Sequence, residues 1–188
     1  DMPRYMEATG APTILSGLKV ALNYLLLFEP GERWDYGIGI DWAGRMVETV
    51  SGLTLGHYLK KNLFDPLGMN DTAFRISPAM RERLAGISLR DDQGRLAPFA
   101  FEIPQEPEFQ MGGGGLYGTA SDYLLFLRML LNGGQLAGER VLRPETVALL
   151  GMNHAGANRV TTLKAAIPLT NDAEFFPGIA KSWSLAFQ

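Results

Sequence analysis

Few residues in this chain could carry covalent or acid–base chemistry. There is no cysteine, which removes thiolate nucleophiles, disulfides and sulfur-ligated metal sites. His57 and His154 are the only histidines, so only these two could be the base of a Ser-His-Asp triad. A structural zinc site usually takes four ligands, and no metal is expected. His57 stands beside Tyr58 and ahead of Lys60-Lys61, a surface pattern, while His154 follows a predicted helix end and is given no role. Asp41 and Glu48, seven residues apart, share one side of a predicted helix. Paired carboxylates can do acid–base work, but with Arg45 between them the expected reading is a solvated or salt-bridged face. The run Gly112-Gly113-Gly114-Gly115 approaches a helix and could offer N–H groups to an anion. It lacks the Gly-Lys-Ser/Thr ending of a phosphate loop, since Leu116-Tyr117 follow, and close backbone packing is the expected reason for the glycines. No cofactor is expected.

The elements that must position these residues are mostly helices. Leu15, Leu18, Ala21, Leu22, Leu25 and Leu26 recur at helical spacing and predict a helix over residues 12–28, ended by Pro30-Gly31. A second is predicted over 41–50, with Trp42, Met46, Val47 and Val50 on one side and Ser51-Gly52 closing it. A third should run from Thr54, its N-cap, to about Phe64, with Pro66 just past its end and Leu55, Tyr58, Leu59 and Leu63 as its buried stripe. Residues 86–101 read as a hairpin turning at Asp92-Gln93-Gly94, with Pro98 marking an edge strand. Residues 103–109 read as a loop. A strong helix is predicted over 121–131, capped by Thr119 or Ser121, with Tyr123, Leu124, Phe126, Leu127, Met129, Leu130 and Leu131 buried or partly buried. Asn132-Gly133-Gly134 stops it, and Pro144 opens a short helix to about Leu150. The alternation from Trp183 to Phe187 predicts a strand.

The whole sequence is globular in composition, with 46% hydrophobic and 20% charged residues. Its net charge of −3 and scattered cations give no nucleic-acid footprint. No apolar run approaches the roughly 18 residues of a membrane span. The chain starts at Asp1 and stops on an apolar alternation, so it is expected to be an internal piece of one domain, with no linker in residues 1–188. A helical lobe whose sheet partner is largely absent is the economical architecture.

Four segments, in order, resemble the serine β-lactamase and penicillin-recognising family, most of all its class C-like carboxylesterases. The first is Pro30-Gly31-Glu32-Arg33-Trp34-Asp35-Tyr36, similar to the family's turn into its catalytic tyrosine. The second is the run from Gly44 to Gly52, like the helix that follows that tyrosine. The third runs from Leu63 to Phe74 and contains Pro66-Leu67-Gly68-Met69 and Asp71-Thr72-Ala73-Phe74. The fourth is Gly113 to Tyr123, continued by Leu130-Leu131-Asn132-Gly133-Gly134. Together they cover about residues 27–150.

The resemblance implies an α+β fold of which this chain supplies the helical lobe, with most of the antiparallel sheet elsewhere. It implies a serine hydrolase that works through an acyl-enzyme on a small ester or amide, with Tyr36 as general base. Trp34, Ile38, Gly113 and Gly114 are the expected substrate-lining residues. The family's Ser-x-x-Lys nucleophile motif is spelled by Ser16-Gly17-Leu18-Lys19, but this lies only twenty positions before Tyr36, too close for the family's long intervening segment. It is not taken as the nucleophile. The family's Tyr-x-Asn is here Tyr36-Gly37-Ile38, and loss of the amide favours the esterase branch. The third family motif, Lys-Thr-Gly or its equivalent, is not found and is expected beyond Gln188. The chain alone is therefore expected to be inactive, its chief partner being the remainder of its own domain. Two other readings stand beside this one. One is an inactive penicillin-recognising homologue that binds peptide or cell-wall-like ligands. The other is a free-standing helical interaction domain, which should be monomeric and well folded by itself.

Overall fold

The computed structural model of the chain describes residues 2–165 and 170–186. Helices dominate, and the described residues hold two two-stranded antiparallel sheets. The helices are α1 (Met2–Thr9), α2 (Gly39–Ser51), α3 (Leu55–Leu59), α4 (Asp65–Leu67), α5 (Pro78–Arg81), α6 (Ala120–Leu131) and α7 (Pro144–Leu150). Strands β1 (Ile87–Arg90) and β2 (Leu96–Phe99) form the expected hairpin, with Ser88 opposite Pro98. Asp91 shapes its turn by accepting from the amides of Gln93 and Arg95 at 2.9 Å each. Strands β3 (Gln135–Leu136) and β4 (Glu139–Arg140) form a small second hairpin that the glycine-rich sequence after α6 had not suggested.

The helix expected over residues 12–28 does not form. Two short 3₁₀ turns, Ile14–Ser16 and Lys19–Leu22, stand in its place. Gly17 separates them at φ 70°, a left-handed conformation that ends a helix. Its lost side chain matters too, because a Cβ there would lie 2.6 Å from Pro107 Cβ. The segment packs as a loop against residues 104–109, and Gly17 O accepts from Glu108 N at 2.9 Å.

Thr54 caps α3 as expected, its side chain accepting from His57 N. The helix does not stop at Phe64. It widens into a π turn over Lys60–Phe64 and runs on as α4, with Pro66 inside the first turn. A proline cannot donate to the carbonyl four residues back and its ring crowds that carbonyl, so a widened turn just before it relieves both problems.

The main core lies where α3 and α4 meet α6. Phe64, Leu67, Met69, Met129, Leu130 and Leu136 are its buried members, and Val147 and Leu150 of α7 close one side. Met129 is completely buried. A second, smaller cluster joins Leu22, Phe109 and Met111, with Ile14, Ile38 and Ile103 packed on it.

The apolar side of α2 is largely exposed, and that of α6 is divided, with Met129 and Leu130 buried and Phe126 and Leu127 half-buried as expected. On α2 the buried positions are Asp41 and Gly44, while Trp42, Met46 and Val50 are 48%, 66% and 88% exposed. On α6, Tyr123, Leu124 and Leu131 are likewise exposed. The side of α2 turned inward is the one that carries Asp41 and Gly44, which meets the Gly112-Gly113 loop and Leu55 of α3. The strand expected over residues 183–187 is absent from its described part, 183–186, and Phe187 lies outside the described residues. Its carbonyls are engaged by a preceding turn: Trp183 O accepts from His154 N and Ala155 N, and Lys181 O from Val160 N.

Candidate active site

Tyr36 lies on a stretch without helix or strand that leads into α2. Pro30-Gly31 turns the chain, with Gly31 at φ 98° and Glu32 N donating to Glu29 O at 3.2 Å. Arg33 shapes the next residues, its guanidinium 4.1 Å from the Phe28 ring centroid and 3.9 Å from the Asp35 carboxylate. Asp35 Oδ1 then accepts from Tyr36 N at 2.9 Å. The tyrosine is 71% exposed, and among the described residues no hydrogen bond is made to its phenol oxygen.

The other expected lining residues divide. Ile38 precedes α2, and its carbonyl accepts from Asp41 N and Trp42 N. Its side chain is half-buried on the Leu22, Phe109 and Met111 cluster. Gly113 and Gly114 are exposed, and Gly113 approaches the first turn of α2. Trp34 packs its ring on Trp183, with centroids 5.3 Å apart and planes tilted by 31°.

The glycine loop is fastened to the first turn of α2. A Cβ on Gly112 would fall 2.1 Å from Ile40 O, and one on Gly113 would fall 2.9 Å from Ile40 Cγ2. Gly113 N donates to Asp41 Oδ1 at 3.1 Å. Gly44, one turn further along α2, is also close-packed, its virtual Cβ lying 3.4 Å from Gly112 Cα. Close backbone approach accounts for Gly112 and Gly113, as their sequence implied. The arrangement brings Ile40 and Asp41, in the first turn of α2, against Gly112 and Gly113, with Tyr36 three residues before the helix.

The carboxylates were read less well. Asp41 is buried and holds the Gly113 amide, and so is no part of a solvated face. Glu48 does pair with Arg45, and its other oxygen accepts from Leu55 N at 2.9 Å, which ties α2 to α3. Asp122 stands in the first turn of α6, where its charge suits the helix dipole. It is buried, and its Oδ2 accepts from Asp71 N at 2.9 Å and from Thr72 Oγ1 at 2.8 Å. Gln110, also unremarked, accepts from Gly56 N at 2.6 Å. The signal for Asp122 was present in the Asp71-Thr72 pair, whose polar groups needed a partner. Nothing local announced that Gln110 would reach α3. Nearby, Arg83 holds the Asp71 carboxyl below the usual aspartate range by direct hydrogen bonding.

Ser16 and Lys19 do not share a helix, because Gly17 breaks the chain between them. Ser16 Oγ accepts from Leu18 N at 3.2 Å, a local turn contact. His57 is exposed, and His154 is exposed with Nε2 2.9 Å from Leu149 O. Among the described residues no group of three or more acidic or histidine side chains could hold a metal, and no helix is long and apolar enough to cross a membrane.

Known proteins resemble this chain along most of its length. It is 38% identical over 153 residues to the lovastatin esterase of Penicillium rubens, covering 77% of this chain and 37% of that protein. It is 35% identical over 126 residues to the monacolin J acid methylbutanoyltransferase of Aspergillus terreus, covering 65% of this chain and 30% of the relative. Among solved structures, unliganded simvastatin synthase from Aspergillus terreus superposes with a TM-score of 0.69 at 30% identity, over 83% of this chain and 38% of that one. The chain thus spans about a third of the length of these proteins. The family model described as Beta-lactamase matches residues 13–174. With that match over most of its length, and with a β-lactamase-like fold, the chain belongs to the β-lactamase family, whose members here include hydrolases and acyltransferases.

Proposed function

We propose that this chain is part of one serine hydrolase domain that cleaves small esters through an acyl-enzyme, with Tyr36 as the general base. The observation that carries the reading is Tyr36 itself. It stands exposed, with an unengaged phenol, at the end of α2 against which the glycine loop packs. A serine hydroxyl needs a neighbouring base to become a nucleophile. A tyrosine, whose unperturbed pKa is about 10, can serve once nearby cations favour its phenolate. It would accept the serine proton during acylation and return it to the leaving group. Backbone N–H groups would hold the oxyanion as charge develops on the carbonyl oxygen.

The esterase and acyltransferase names of the relatives support an ester substrate and a transferable acyl group. Ile38 in place of the family's amide supports esters over β-lactams. Trp34, Gly113 and Gly114 are proposed to border the acyl pocket, Trp34 from its seat on Trp183.

The test compares the 188-residue chain with the full-length protein on short-chain p-nitrophenyl esters and on nitrocefin. The chain alone should hydrolyse neither faster than buffer, because Ser16 and Lys19 lack the one-helix geometry of a nucleophile and its lysine. The full-length protein should turn over the esters and be labelled by a fluorophosphonate outside residues 1–188. Labelling of Ser16 with turnover by the isolated chain would contradict the proposal. So would a full-length protein that binds cell-wall peptides and turns over no ester.

A further inference from the structure

We propose that Trp183 and Asn158 are positioning residues for Tyr36, an inference that rests on Tyr36 being the base. The reason lies in what holds the segment that carries it. Residues 23–38 contain no helix or strand, so no backbone ladder fixes their path. The contacts among Phe28, Arg33, Asp35 and Tyr36 are all local and shape the segment without fastening it to the rest of the molecule. Tyr24, before them, meets Tyr5 and Pro12, and Ile38, after them, packs on Phe109 and Met111, but between Phe28 and Tyr36 two contacts among the described residues reach across the sequence. Asn158 Nδ2 donates to Gly31 O at 3.1 Å, and Trp34 packs on Trp183.

Both anchors belong to one tied unit. Trp183 O accepts from His154 N at 3.0 Å and Ala155 N at 3.2 Å, Asn158 N donates to Ala155 O at 3.1 Å, and Ser182 Oγ donates to Asn153 Oδ1 at 2.6 Å. The segment leading to Tyr36 is therefore gripped at Gly31 and at Trp34 by the same backbone turn. Tyr36 is too exposed to set its own place by packing, so the backbone path decides where its hydroxyl stands. A base displaced by about 1 Å can lose about a hundredfold in rate, and an aromatic stack two residues away is a means of preventing that. The geometry also accounts for the chain near Trp183 turning back on residues 154–160, where its alternation alone predicted a strand.

The test uses the full-length protein with Trp183→Leu, Trp183→Phe, Asn158→Ala and Tyr36→Phe. It reads hydrogen exchange along the chain together with kcat and KM on a short-chain ester. Trp183→Leu should speed exchange at residues 31–37 at least about tenfold with α6 unchanged. It should lower kcat by about 10–100-fold with KM nearly constant. Trp183→Phe, which keeps an aromatic surface, should recover most of the rate, and Asn158→Ala should loosen residues 31–34 with a smaller loss. In the Tyr36→Phe background, Trp183→Leu should cost almost nothing further, because a positioning residue has no effect once the positioned group is gone. Unchanged exchange at 31–37, an unchanged kcat, or an undiminished loss in the Tyr36→Phe background would each overturn the proposal. Should Trp183→Leu fail to fold, Trp183→Phe and Asn158→Ala carry the same comparison. Full turnover by Tyr36→Phe alone would instead remove the base assignment, and the exchange data would still report whether the segment is fastened.

Discussion

At the scale of single residues, the glycine loop is seated on α2 by close backbone approach at Gly112 and by the Asp41 carboxylate at Gly113. Gly112 lies so close to Ile40 O that a methyl group there must displace main chain, whereas a Cβ on Gly114 would meet only Met111 Cε, 4.0 Å away. Gly112→Ala should therefore destabilise the protein by about 1–3 kcal/mol, while Gly114→Ala should stay within about 0.5 kcal/mol of wild type. Urea melts of the two variants check this, and equal midpoints would show that the loop does not pack on α2 as described. The role of these glycines was legible because four in succession have little use except close approach or a turn. The role of Asp41 was not. A carboxylate in the first turn of a helix suits the helix dipole wherever it points, and only the position of the distant glycine loop decides that this one is buried.

The elements show the same division between local and distant causes. The caps at Thr54 and Thr119 and the turn around Asp91 were readable because their partners lie within four residues. The segment over 12–28 was misread because helical spacing of leucines says nothing of the left-handed glycine within it or of the prolines it meets. At the start of α6, Thr119 caps the helix while Asp122 reaches across to Asp71 and Thr72. Thr119→Ala should cost about 1 kcal/mol. Asp122→Ala should cost about 2–3 kcal/mol, since it strands charge-assisted hydrogen bonds in a buried place. Thermal melts in which Thr119→Ala proved the more damaging would contradict the cross-link. Exposed ion pairs brace the same region: Arg83 lowers the Asp71 carboxyl, and Arg81, by hydrogen bonding, lowers that of Glu102. A depressed carboxylate contributes its stability fully above its unfolded value, 3.8 for aspartate and 4.5 for glutamate, and loses it as pH falls through the lower folded value. The melting temperature should thus drop as pH falls below about 4.5, less so for Arg83→Gln, Arg81→Gln than for wild type. Parallel pH profiles would show that these pairs contribute nothing.

For the whole molecule, Trp42, Met46 and Val50 on α2 and Tyr123, Leu124 and Leu131 on α6 leave large apolar side chains exposed, and exposed apolar patches promote association. The isolated chain should bind a hydrophobic dye and self-associate, and a monodisperse monomer with a sharp two-state melt would support a free-standing interaction domain instead. The family was legible from four short blocks because their glycines are fixed either by a left-handed turn, as at Gly31, Gly52 and Gly68, or by close packing, as at Gly44 and Gly118. The absent sheet was legible only as a shortage of strands. The proposed activity turns on Tyr36, and Tyr36→Phe in the full-length protein tests that proposal most directly, since phenylalanine keeps the ring and loses only the hydroxyl. General-base catalysis is worth about 10²–10⁴-fold, so kcat on a short-chain ester should fall at least about a hundredfold with the melting temperature nearly unchanged. A tyrosine serving only structure would give the reverse pattern, a stability loss of about 0.5–1.5 kcal/mol with turnover preserved. Turnover within a few-fold of wild type would contradict the account.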